Sequence, residues 1–111
     1  MIRFIMAMYR KVIFLGSSRR DLQAFPEGAK DDLGQMLWDV QNDLEPLDWK
    51  PMPSIGQGVR ELRVKDASGA YRVIYIVKVA EKVHVLHAFQ KKTQKTSKKD
   101  IDLAKQRLRL I

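Results

Sequence analysis

The chain has 111 residues, 45% of them hydrophobic, no cysteine and a formal net charge of +8. That length favours one domain spanning residues 1–111, and the apolar content argues against disorder. The lack of cysteine excludes disulfides, thiolate nucleophiles and zinc–thiolate sites, and suits a reducing compartment such as the cytoplasm. The opening run MIRFIMAMYRKVIFLG is apolar but broken at Arg3, Arg10 and Lys11. With no long hydrophobic region it reads as a leader or fraying end over residues 1–8 followed by a strand, not as a signal peptide or membrane span. Met6 and Met8 leave a later start open.

Tyr9 to Leu15 is β-prone and ends at Gly16-Ser17-Ser18. Ser17 or Ser18 can cap a short helix reaching about Phe25, and Ser18 with Asp21 weakly resembles a capping box. Pro26 suits the first position of a second helix, with Glu27, Asp31 and Asp32 near its positive end. Ala29, Leu33, Met36, Leu37, Val40 and Leu44 then form an apolar stripe at helical spacing, opposite Asp32, Gln35, Asp39 and Asp43. The two helices predict an αα-hairpin laid on a sheet, its acidic side a solvated face. Glu45 to Gln57 holds three prolines and reads as a long loop. Its Trp49, next to Lys50, could stack on a base; closing the edge of the core is the better reading.

Val59–Lys65, Ala70–Val79 and Val83–Gln90 alternate between apolar and polar residues and are separated by two short turns, which predicts a three-stranded antiparallel meander. Ser97 with Asp100 opens a last helix, whose apolar line is Ile101, Ala104, Leu108 and Ile111. The fold class is α+β: an antiparallel sheet with an N-terminal strand, an αα-hairpin on one face and a C-terminal helix.

Charge divides the chain. Residues 1–59 carry 7 Lys/Arg against 8 Asp/Glu, and residues 60–111 carry 14 against 5. A sheet that gathers the basic half is a candidate platform for a polyanion, and no basic amphipathic helix with bulky aromatics favours lipid instead. Strand alternation puts Glu61, Arg63 and Lys65 on one face and Arg72, Ile74, Ile76 and Lys78 on one face, with Tyr71, Val73, Tyr75 and Val77 towards the helices. Arg72 then lies on the open face, with Arg63 and Lys65 beside it if the register allows. Lys91 and Lys92 arrive from the end of the last strand. His84 and His87, three apart, are expected on opposite faces and so form no metal pair; no metal or other cofactor is expected. His87 is a candidate general acid or base. No phosphate-binding glycine loop or nucleophile elbow is present. A basic cleft without metal or nucleotide suits RNA, whose 2′-hydroxyl is a nucleophile already attached to the scissile phosphate.

The element order, with the segments GVRELRV, GAYRVIY and VLHAFQKKTQKT, resembles the RelE/ParE toxin superfamily, and within it the HigB-like, phage Gp49-like branch, over about residues 9–111. The resemblance implies a RelE-like type II toxin–antitoxin system toxin: a ribosome-dependent endoribonuclease (an RNA-binding hydrolase) that cuts mRNA on the ribosome, leaves a 2′,3′-cyclic phosphate and inhibits translation. It implies contacts with 16S rRNA, neutralisation by a cognate helix-turn-helix antitoxin, and oligomers formed through that antitoxin. Residue by residue, Arg72 matches the arginine that contacts the scissile phosphate, Arg63 a basic residue on the preceding strand, and Lys91 or Lys92 a basic residue ending the last strand. Arg60, Lys65, Lys95 and Lys50 are the expected further RNA contacts. Two positions depart from the family pattern. Thr93 to Lys99 holds no tyrosine, and Met52 stands where relatives with a Lys-Pro-Glu-Pro loop carry a glutamate base. His87, Glu61 or a lysine of lowered pKa remain as bases. The alternatives are a ParE-like inhibitor of DNA gyrase and a basic nucleic-acid-binding module without catalysis.

Overall fold

The computed structural model describes residues 9–111. The expected leader, residues 1–8, lies outside the described residues. In chain order the elements are β1 (Val12–Phe14), α1 (Ser18–Gln23), α2 (Glu27–Gln41), β2 (Trp49–Pro51), β3 (Arg60–Asp66), β4 (Gly69–Lys78), β5 (Lys82–Lys91) and α3 (Lys98–Leu108). One five-stranded sheet has the order β1-β5-β4-β3-β2. The predicted meander is β3–β4–β5, and β1 adds to its far edge in parallel, Val12 opposite Val83. The fold is α+β, as the alternation and the helical stripe require.

Three local outcomes differ from the sequence pattern. The proline-rich loop contains a short edge strand, β2, whose Trp49 pairs with Leu62 and Pro51 with Arg60. Three residues are too few to show alternation, and proline is tolerated on an outer edge. Helix α2 stops at Gln41 because Asn42 leaves helical geometry and Asp43 takes φ 59°. Leu44 therefore falls off the stripe and stays 58% exposed. At the start of α1, Ser17 donates to the Asp21 carboxylate at 2.7 Å and Ser18 to the Val85 carbonyl at 3.3 Å, so no Ser18–Asp21 box forms.

Two hydrophobic clusters sandwich the sheet. Leu22, Leu33, Met36, Leu37 and Val40 of the helical hairpin pack on Leu62, Tyr71, Val73, Tyr75, Val83 and Val85. On the other face, Met52, Ile55 and Val59 join Ala104 of α3 over Ile74, Ile76, Leu86 and Phe89. The face expected to be open is thus largely covered, and Arg72 is only 9% exposed. Alternation identified the helix-bearing face correctly; the second cover is built from the loop and from α3, whose short apolar line gives little warning of it.

A β-bulge between Ile74 and Tyr75 changes the parity of β5. Tyr75 pairs with Val85 but Ile74 with His87, leaving Leu86 as the extra residue. His84 lies opposite Ile76 and His87 opposite Ile74, so both histidines share the α3 face. The expectation of opposite faces fails because simple alternation assumes an unbroken ladder.

Candidate active site

Directly opposed residues of an antiparallel pair project to the same side, so the register lays out the α3 face as rows. One row runs Lys50, Glu61, Ile74, His87 across β2, β3, β4 and β5. The next holds Arg63, Arg72 and Phe89, and the third Lys65, Ala70 and Lys91. Strands lie about 5 Å apart and same-face residues about 7 Å apart along a strand. Arg72, Arg63, Lys91, Lys65 and Lys50 therefore form one cationic patch.

Two carboxylates temper it. Asp48, just before β2, accepts from Arg63 Nε at 3.0 Å and Nη2 at 2.9 Å. Glu61 has no exposed surface. Its Oε1 lies 3.4 Å from Arg72 Nε, and its Oε2 accepts from Thr96 Oγ1 at 2.9 Å. Arg72 Nη1 donates to the Tyr71 carbonyl at 3.1 Å. Burial pulls the Arg72 guanidinium below its ordinary range and Arg63 adds to that pull, while Glu61 opposes it; an arginine nonetheless stays a cation. Lys91 is pulled below 10.5, first by burial and then by the Arg72 charge, again against Glu61. A lysine so placed gives up its proton more readily than one on an ordinary surface.

The remaining candidates lie elsewhere. Arg60 points to the opposite face, its guanidinium 3.9 Å from the centre of the Trp49 ring. Trp49 donates Nε1–H to Glu45 at 2.8 Å and packs on the hairpin-side core, which fits the core-edge reading. His87 is buried under α3, its Nε2 2.7 Å from Asp100 Oδ1 and its ring stacked on Phe89 at 4.7 Å. Lys92 and Lys95 are exposed on the segment leading to α3. Met52 is buried in the second core. Among the described residues no group of three or more His, Asp or Glu side chains could hold a metal ion, and no helix is long and apolar enough to cross a membrane.

Sequence reasoning missed Asp48 and the Thr96 contact to Glu61. Asp48 became a site neighbour only because β2 exists. Thr96 sits among lysines, and only its burial marks it out. Asp100 is the helix-start residue that its spacing from Ser97 predicts, and its second bond, to His87, is not legible in the sequence.

No curated protein matches the chain. Two solved structures share its fold. A chain of the toxin–antitoxin complex RelBE2 from Mycobacterium tuberculosis is 23% identical with a TM-score of 0.52, covering 75% of this chain and 99% of that one. A mutant of the E. coli toxin RelE in the free state is 16% identical with a TM-score of 0.57, covering 94% and 99%. At such identities the likeness is one of fold. The model of the family described as "Phage derived protein Gp49-like (DUF891)" matches residues 20–109. With nearly the whole described chain matched, and the sheet order and cationic face in place, the protein belongs to the Gp49-like family and carries a RelE-like toxin fold.

Proposed function

We propose that the protein is a type II toxin that cleaves mRNA on the ribosome and is held silent by a cognate helix-turn-helix antitoxin. The observation that carries this reading is the row Arg63–Arg72 on adjacent strands, with Lys91 one row away. The RNA 2′-oxygen attacks the adjacent phosphorus, the 2′-O–P bond forms and the P–O5′ bond breaks; the departing 5′-oxygen takes a proton from water, leaving a 2′,3′-cyclic phosphate and a free 5′-hydroxyl. Arg72 and Arg63 stabilise the charge that develops on the phosphoryl oxygens. Lys91, deprotonated more easily than an ordinary lysine, takes the 2′-hydroxyl proton. Lys50 and Lys65 hold the flanking phosphates. The family membership and the toxin–antitoxin complex among the structural neighbours support the toxin reading. A ribosomal target places the protein's work in the cytoplasm.

The test is controlled expression in bacteria, with primer extension on a translated message and an untranslated control. Arg63 is partly exposed and its pair with Asp48 contributes little to stability, so Arg63→Ala is a clean functional probe. Truncating Arg72 to alanine would strand the buried Glu61, so Arg72→Gln, which keeps an amide N–H for that carboxylate, is the better variant. Both should lose the cuts, each by about 10²-fold or more. Growth arrest with intact messages would refute the ribonuclease reading and favour a protein target such as gyrase.

A further inference from the structure

Glu61 is the one carboxylate sealed inside the cationic patch, and nothing in the proposed chemistry uses it. A general base must come within hydrogen-bond reach of the proton it removes. Glu61 has no exposed surface, one oxygen is bonded by Thr96 and the other faces Arg72 Nε. It therefore touches the guanidinium and not the substrate.

We propose that Glu61 is a positioning residue that turns Arg72 to meet a phosphate, and that Thr96 is the tie fixing Glu61 in that task. An arginine has five N–H donors. Glu61 lies against Nε, and one Nη1 hydrogen goes to the Tyr71 carbonyl. Among the described residues Nη2 makes no hydrogen bond, so the guanidinium keeps its Nη edge for an oxyanion. Without the carboxylate, Arg72 faces Arg63 directly across the β3–β4 ladder, and repulsion would swing it away. Thr96 belongs to the stretch KKTQKTSKK, so its bond also fixes where the exposed Lys92 and Lys95 run relative to Arg72. The phosphate half of this inference rests on the ribonuclease reading; the orientation of Arg72 does not.

The experiment reads the two halves separately. Hydrogen exchange of the Arg72 Nε–H is followed by ¹⁵N NMR in the full chain without RNA, and single-turnover cleavage of a ribosome-bound message is measured in parallel. Variants are Glu61→Gln, Glu61→Ala and Thr96→Val, each checked for folding by thermal melting. Glu61→Gln keeps one oxygen to face Nε and turns its amide N–H towards the Thr96 hydroxyl, which can accept; it should retain slow exchange and cleave within about tenfold of the parent. Glu61→Ala should exchange at least about tenfold faster and cleave about 10²-fold more slowly at saturating ribosome, the scale of a displaced catalytic group. Thr96→Val, which keeps the side-chain shape, should move both readouts the same way by less, and it carries the test if Glu61→Ala does not fold. Unchanged Nε–H exchange in folded Thr96→Val and Glu61→Ala overturns the proposal whatever the activity. Glu61→Gln as inactive as Glu61→Ala, with exchange still slow, makes Glu61 a proton-transfer group and also overturns it. If the parent cleaves nothing, the ribonuclease reading falls and the exchange data alone decide whether Glu61 orients Arg72.

Discussion

Replacing Asp100 with alanine should loosen α3 from the sheet. Asp100 sits in the first turn of α3 and works three ways. Its backbone N–H donates to Ser97 Oγ at 3.2 Å, its Oδ2 accepts from that hydroxyl at 2.7 Å, and its Oδ1 meets His87 Nε2 at 2.7 Å. The first bond survives the substitution. The second is part of the helix cap and contributes about 0.5–1 kcal/mol. The third leaves a buried ring nitrogen without a partner, at about 1–3 kcal/mol. His87 Nδ1 is already buried with no partner among the described residues, so the ring would have none on either nitrogen. The total is about 1.5–4 kcal/mol, measured as a shift in the urea midpoint at constant slope. Asp100→Asn keeps an oxygen acceptor for the His87 ring N–H and should cost under about 1 kcal/mol. Hydrogen exchange at Lys98–Leu108 should quicken in the alanine variant more than exchange in β4. A loss below about 0.5 kcal/mol for Asp100→Ala would refute the reasoning. So would an asparagine variant as damaged as the alanine one, because charge would then matter and not the bond.

Leu33→Ala should cost about 3 kcal/mol in the same assay, because Leu33 is fully buried at the centre of the hairpin-side core and leaves a cavity. The pH–rate profile of message cleavage should rise and level off below pH 10.5, because burial and Arg72 lower the Lys91 pKa and the proposed base is its neutral amine. Lys91→Arg, which stays protonated, should lose that rise; an unchanged profile would remove Lys91 from the base role. The same shift has a stability sign. A lysine with a depressed folded-state pKa disfavours the fold while protonated. The penalty from Lys91 is therefore full below its folded-state pKa and fades as pH climbs from there towards 10.5, an effect a Lys91→Met variant should lack.

Much of this architecture could be read from local pattern. Tyr71, Val73, Tyr75 and Val77 alternate without interruption, and they do face the helical hairpin. Arg72 stood out as the one charge within an apolar run, and it is central to the cationic patch. What could not be read is whatever depends on pairing between distant segments. Nothing in Val12–Phe14 says that it will dock in parallel beside β5. Nothing near Leu86 announces the extra residue that brings His84 and His87 to one side. Lys50 and Asp48 reach the site because a three-residue strand forms where composition reads as loop. Arg60 leaves the site for the opposite reason: one step of register turns a basic residue from the patch to the Trp49 ring. The burial of Glu61 is the least legible feature, since a glutamate next to Arg60 and two residues from Arg63 reads as surface, and only the fold shows it sealed in with Thr96 bonded to its carboxylate.

The register that sets Arg63 directly opposite Arg72 sets the stability of the empty molecule against its capacity to bind an anion. Like charges facing across a ladder destabilise by about 0.2–1 kcal/mol, and added salt screens part of that. A bound polyanion removes the repulsion and adds its own linkage, about 2.7 kcal/mol when present at a hundred times its dissociation constant. On the proposed function, the molecule is at its most stable with a polyanion bound. Selection for thermal stability alone would drift towards variants that have shed one of the two arginines, and stabilised descendants obtained without a functional screen should be enriched in inactive ones.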